Sequence, residues 1–91
     1  DLAKAEAAIA AERPALLACY TAALDYAPAL WGTLTLSARI DERGAPTEVL
    51  DLGAFPEERV VRCAARVLRS IAFEKPVGGD VRIVVPLSLK P

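Results

Sequence analysis

The sequence predicts an α+β domain of order α-β-β-α-β, with two helices packed on one face of a three-stranded antiparallel sheet. Three observations carry that expectation. "TLTLSARI" (33–40) alternates without error: Leu34, Leu36, Ala38 and Ile40 point one way, and Thr33, Thr35, Ser37 and Arg39 the other. That is the pattern of a strand with one buried and one solvated face. "VRIVVPLSL" (81–89) alternates in the same sense, with Val81, Ile83, Val85, Leu87 and Leu89 on one side. Two further segments repeat apolar residues at helical spacing, one on each side of the first strand.

Taken in order, "LAKAEAAIAAE" (2–12) is alanine-rich and strongly helix-favouring, but its apolar stripe is weak. Residues 1–13 therefore read as a helical lead-in prone to fraying. Pro14 lacks a backbone donor, so it either begins a new helix or kinks a continuous one. From Leu16 the stripe sharpens through Cys19, Tyr20, Ala23 and Leu24, and Ala27-Pro28 is expected to end the helix. After the first strand, "DERGAP" reads as a hairpin connection with Gly44 at positive φ, and "TEVLDL" as a second, less regular strand. Pro56 suits the first position of the next helix, and Glu57 and Glu58 follow where the helix dipole favours anions. That helix is expected to bury Val60, Cys63, Ala64, Val67, Leu68 and Ile71, with Arg59, Arg62, Arg66 and Arg69 on another face. "EKPVGGD" is a loop. Pro86 cannot donate to a ladder, so the last strand belongs at a sheet edge or carries a bulge.

The 91 residues form a single domain, 1–91, near the lower size limit for a self-sufficient core. Hydrophobic residues make up 54%, so a packed interior is expected. A net charge of −1 argues against a surface built to neutralise nucleic acid. No apolar run reaches the roughly 18 to 20 residues that span a bilayer, and no signal-peptide pattern opens the chain. The expectation is an excised domain, with membrane anchoring only through a segment absent from this chain.

Candidate chemistry is sparse. Without histidine, Ser-His and Cys-His catalytic pairs are excluded, and two widely spaced cysteines make a poor zinc site. Adjacent Glu57 and Glu58 splay about a helix, and "VGGD" is a plain turn rather than a phosphate loop. No enzyme activity, metal, cofactor or small-molecule substrate is expected. The arginine row is a solvated face or a site for acidic protein or peptidoglycan. Trp31 packs on a neighbour such as Pro28 or serves as a binding anchor. Tyr20 belongs to the core with its hydroxyl at the rim. Cys19 and Cys63 sit on apolar helix faces over one sheet, which allows two buried thiols as readily as a disulfide.

The ordered spacing of several residues resembles the TonB C-terminal-like domains, and within them the AgmX/PglI C-terminal subgroup of myxobacterial envelope and gliding-motility proteins. The matching positions are Ile9, Cys19-Tyr20, Pro28, Leu30-Trp31-Gly32, Ile40, Gly44, Cys63, Phe73, Pro76, Gly78-Gly79 and Pro86, covering about Ile9 to Leu89. The chain departs from the subgroup at Trp31, Ile71, Glu74 and Val85, where small or polar, Trp, Pro and Tyr residues are usual.

The resemblance implies a periplasmic domain of an inner-membrane-anchored protein, with Cys19 and Cys63 joined as a helix-to-helix disulfide. It implies a non-enzymatic interaction module coupling an energised inner-membrane complex to outer-membrane or periplasmic protein partners, in gliding motility or transport. The physical route is strand addition at the last strand, over Val81, Arg82, Ile83, Val84 and Val85, ahead of Pro86. The alternative is a structural or peptidoglycan-binding module of an envelope complex without energy transduction.

Overall fold

In the computed structural model, which describes residues 2–91, the chain runs α1 (Leu2–Ala11), α2 (Arg13–Ala23), β1 (Gly32–Ile40), β2 (Pro46–Asp51), α3 (Glu58–Arg69) and β3 (Val81–Leu89). The strands form one antiparallel sheet of order β2-β1-β3. The α+β class and the three-stranded antiparallel sheet are as the sequence predicts, with the lead-in added as a helix of its own. Ala5, Ala8 and Ile9 of α1 pack against the core. Asp1 lies outside the described residues.

Local chemistry sets the helix ends. Glu12 (φ −95°, ψ 2°) leaves the helical region, and Pro14 falls in the first turn of α2, where a missing N–H costs nothing. The end of α2 differs from expectation: the helix closes at Ala23, well before Ala27-Pro28. Tighter bonds take over there, from Leu24 N–H to the Thr21 carbonyl and from Tyr26 N–H to the Ala23 carbonyl. Tyr20 is buried, and its hydroxyl donates to the Leu30 carbonyl, tying the exit loop back onto α2. Trp31, read from the sequence as packed on a neighbour such as Pro28 or as a binding anchor, is 71% exposed. Pro56 precedes the cap of α3 rather than opening the helix. Glu57 is the N-cap, accepting from the Arg59 N–H at 2.9 Å. The Arg59 guanidinium bonds the same carboxylate, and the two contacts hold Glu57 below the ordinary glutamate pKa.

The sheet's helical face carries the core. Leu34, Leu36, Ala38 and Ile40 of β1 are almost fully buried beneath Leu16, Tyr20 and Ala23 of α2 and Val60, Val61, Ala64 and Leu68 of α3. Ile40 and Val85 are buried as expected, whereas Val67 and Ile83 are only half-buried. The buried stripe of α3 is rotated towards Val61 and Ala65, over β2, which leaves Val67 and Cys63 on the flank facing α2. On that flank Cys63 and Cys19 form a disulfide, with Cα atoms 5.7 Å apart. The disulfide fits an oxidising compartment. No helix among the described residues is long and apolar enough to cross a membrane.

One glycine is sterically required. Gly44 sits at φ +85° in the β1–β2 hairpin, where the Asp41 carboxylate accepts from Ala45 N–H (3.0 Å) and Arg43 N–H (2.9 Å). The Gly44 carbonyl takes the Phe73 N–H at 3.0 Å, and a Cβ at Gly44 would lie 2.2 Å from the Phe73 carbonyl oxygen. The connection from α3 to β3 therefore docks on the hairpin backbone itself.

Two stability outcomes follow from this packing. Leu36→Ala should destabilise the domain by roughly 2 to 5 kcal/mol in a denaturant titration, because the cavity lies where strand and helices meet. Near-wild-type stability would mean that β1 presents its other face to the helices. Cys19 and Cys63 are 44 residues apart in sequence. Closing that loop stabilises by about 4 kcal/mol in the chain-entropy model. Reduction should thus lower the melting temperature by more than about 10 °C. Protein made under oxidising conditions should take up alkyl groups at both cysteines only after reduction.

Candidate functional site: two sheet edges of different chemistry

Every strand residue has one N–H and one C=O, and in an antiparallel ladder both point to the same side and alternate along the strand. The Leu52 N–H donates to the Thr35 carbonyl at 2.8 Å, so Thr35 directs its backbone polar groups towards β2. Thr35 faces Pro86 in the unbroken β1–β3 register. That pair exchanges no hydrogen bond, and the donorless nitrogen of Pro86 looks away from β1. Proline is tolerated in this strand because of that parity.

The same alternation assigns the rest of β3. Val81, Ile83, Val85, Leu87 and Leu89 turn their backbone groups to β1 and their side chains towards the helical face. Val85, Leu87 and Leu89 are buried, Ile83 is half-buried, and Val81 is 43% exposed. Arg82, Val84, Pro86 and Ser88 turn their backbone groups to the outer edge, and all four are exposed. Of the five edge-strand residues singled out from sequence, Arg82 and Val84 present free N–H and C=O groups. Val81, Ile83 and Val85 hold the strand in place. The position of Pro86 contains this parity, which only the pairing register reveals.

Beside the edge lies α1. Ile9, Ala10 and Arg13 face Val84, Val85 and Pro86 across an open cleft. Nearer the start of β3 a second, largely apolar cleft is lined by Ala5, Ile40, Phe73, Val77 and Ile83. The Lys4 ammonium pairs with Glu74 at 2.8 Å, which holds the start of α1 against the loop before β3. The two groups shift each other's pKa, Lys4 upward and Glu74 downward, chiefly through this hydrogen bond.

The far end of the open sheet face is charged. Glu48 (φ +48°) marks the register shift opposite Ser37 to Arg39 and swings its carboxylate to Arg39, which also bonds Asp80. The hydrogen bond to Asp80, with the Glu48 charge next in weight, raises the Arg39 pKa further. Arg82 approaches the same Glu48 at 4.0 Å. All three strands are thus linked by charge at that end, and Arg82 is oriented along the β3 edge. Between these charges and Pro86, the open face presents Leu50 and Val84 on either side of the buried Ser37.

The second edge is β2. It is shorter than β3, shifted in register, and overhung by α3. Val49, Leu50 and Asp51 face Val61, Arg62, Ala65, Arg66 and Arg69 of α3 across a cleft. Arg59, the fourth arginine of the row, is occupied: it bonds Glu57 and stacks 3.8 Å from the centroid of the Tyr26 ring. The arginine row was legible in the sequence as a helix face, but its position over a strand edge was not. Among the described residues, no group of three or more His, Cys, Asp or Glu side chains is placed to hold a metal ion.

Comparison of the chain with protein-family models, with curated proteins and with solved structures finds no match.

Proposed function

We propose that this domain is a non-enzymatic, TonB-like interaction module of the bacterial periplasm. It couples an energised inner-membrane complex to outer-membrane partners by accepting an extended segment along β3. The observation that carries this reading is the outer side of β3, where Arg82, Val84 and Ser88 offer donor and acceptor and Pro86 an acceptor, with no strand beyond them among the described residues. Backbone hydrogen bonds supply affinity in such strand addition, and side-chain clefts supply selectivity. The clefts between α1 and β3 are suited to receive alternate side chains of an added strand. Periplasmic placement draws support from the Cys19–Cys63 disulfide, and the family from the residue spacing that resembles the AgmX/PglI subgroup.

A second reading, a structural or peptidoglycan-binding module without energy transduction, is favoured by one observation: Arg62, Arg66 and Arg69 are exposed on a single helix.

The backbone parity of β3 makes the test sharp. Val84→Pro removes a donor that faces solvent and repeats the situation of Pro86, so the variant should keep a melting temperature within about 5 °C of wild type. It should nevertheless lose binding of periplasm-facing segments of outer-membrane proteins, followed by amide chemical-shift titration. Ile83→Pro removes a donor used by β1, so it should lower stability as well. Arg62→Ala with Arg66→Ala should leave the β3 footprint unchanged. A footprint confined to the arginine face would overturn strand addition at β3 and promote the second reading.

A further inference from the structure

We infer that the cleft between α3 and β2 is a second docking site, built for an extended acidic polypeptide segment and independent of the β3 edge. The charge balance is the first ground. Arg39, Arg43, Arg59 and Arg82 each meet a carboxylate, whereas none of Arg62, Arg66 and Arg69 lies within salt-bridge distance of one among the described residues. Arg62 acts on Glu57 through charge alone, and that carboxylate is already bonded to Arg59; the acids in the cleft itself form no ion pair with the row among the described residues. Asp51 spends its carboxylate on the Gly53 N–H (3.0 Å) and the Phe55 N–H (3.1 Å), closing the turn after β2. Glu58 stands one turn before Arg62 and makes no ion pair among the described residues. The chain as a whole carries a net charge of −1, so the row is a local concentration of positive charge rather than a share of a basic surface. The helix dipole favours cations near the end of α3, which accounts for the sign of Arg66 and Arg69 but not for their facing a sheet edge.

Backbone geometry is the second ground, and it selects polypeptide over glycan. Because Leu52 bonds Thr35, the neighbouring Asp51–Leu36 pair exchanges no hydrogen bond, and the Asp51 N–H and C=O point out of the sheet into this cleft. Val61 and Ala65, both nearly buried, form an apolar floor beside Val49 and Leu50, and the three guanidinium groups form the rim. A strand laid beside β2 would bond Asp51 through its backbone. Glutamate side chains on its inner face would rest their methylene stems on the floor and carry carboxylates to the rim, where arginine binds them in bidentate fashion.

Charge also disfavours a second copy paired through the same edge. Pairing β2 edges between two molecules would bring two sets of unneutralised arginines together, a repulsion of the kind that protects sheet edges from self-association. The two edges of the sheet thereby accept different segments, and one domain can hold two chains at once.

The probe is a decapeptide alternating glutamate and threonine, with a lysine–threonine decapeptide of equal length as control, titrated into the oxidised 91-residue domain. The acidic peptide should shift amides of Val49 to Asp51 and of α3 from Arg62 to Arg69, and should slow hydrogen exchange at Asp51. Arg62→Gln, Arg66→Gln and Arg69→Gln together should weaken it by about tenfold or more, as should raising salt from about 50 to about 300 mM. Glutamine on an exposed helix face preserves the fold, which the unchanged melting temperature will verify. Val84→Pro should leave this binding intact, so failure at β3 and failure at β2 are distinguishable. Equal binding of both decapeptides, or of the acidic one to the triple variant, overturns the proposal. Binding of soluble peptidoglycan fragments to the arginines without slowed exchange at Asp51 overturns it in favour of a glycan.

Discussion

The fold depends on the burial of one side of β1. Leu34, Leu36, Ala38 and Ile40 are at most 2% exposed, and each is covered by the helical layer. A strand buried that completely on one face cannot slip by one residue, because a slip would exchange four apolar side chains for Thr33, Thr35, Ser37 and Arg39. Both neighbouring strands take their register from β1, so the parity that turns Val84 and Asp51 outward is set by the same row. With β1 central and used on both sides, β2 and β3 are necessarily edges.

The helical layer has to be held over a sheet of only three strands, and a core this small has little to spare. Three cross-links of different kinds do that work. The Cys19–Cys63 disulfide joins α2 to α3, the Tyr20 hydroxyl fastens the loop leaving α2, and the Phe73–Gly44 backbone bond anchors the segment between α3 and β3. The disulfide, which is made by α3 itself, constrains the rotation of that helix about its axis. That rotation puts Val61 and Ala65 down onto β2 and consequently lifts Arg62, Arg66 and Arg69 along the rim of its edge. Packing and surface chemistry are therefore one decision, because residues adjacent on a helix cannot be turned separately.

The two edges manage exposure differently. β3 is nine residues long and continuous in register, and it is moderated by an arginine, a proline and the adjacent α1. β2 has six residues, is interrupted at Glu48, and lies under like charges that repel a second copy of itself. One edge mixes apolar, polar and charged side chains, and the other is rimmed by guanidinium groups. A single sheet thus carries two chemically different edges, separated by the width of three strands.

Periodicity alone determined the strands β1 and β3 and the helices α2 and α3, because alternation and helical spacing are local properties; the missing donor of Pro86 left an edge or a bulge, and the strand order made it an edge. The hairpin at Gly44 was also legible, since few residues besides glycine accept its backbone. Both cysteines were legible as helix-face residues, but their bond was not readable from spacing, because 44 intervening residues fix no distance. The early close of α2 at Ala23 escaped the sequence; there the chain goes over to tighter bonds, from the Leu24 N–H to the Thr21 carbonyl and from the Tyr26 N–H to the Ala23 carbonyl, ahead of the proline that marks a boundary locally. Val67 and Ile83 looked equivalent to their buried neighbours, yet the axial rotation of α3 and the lateral limit of the helical layer leave both half-covered. Which backbone groups of β3 face outward, and that the arginine row overhangs β2, depend on register and on helix placement across the sheet. Those are long-range relations between segments, and no local pattern in the chain encodes them.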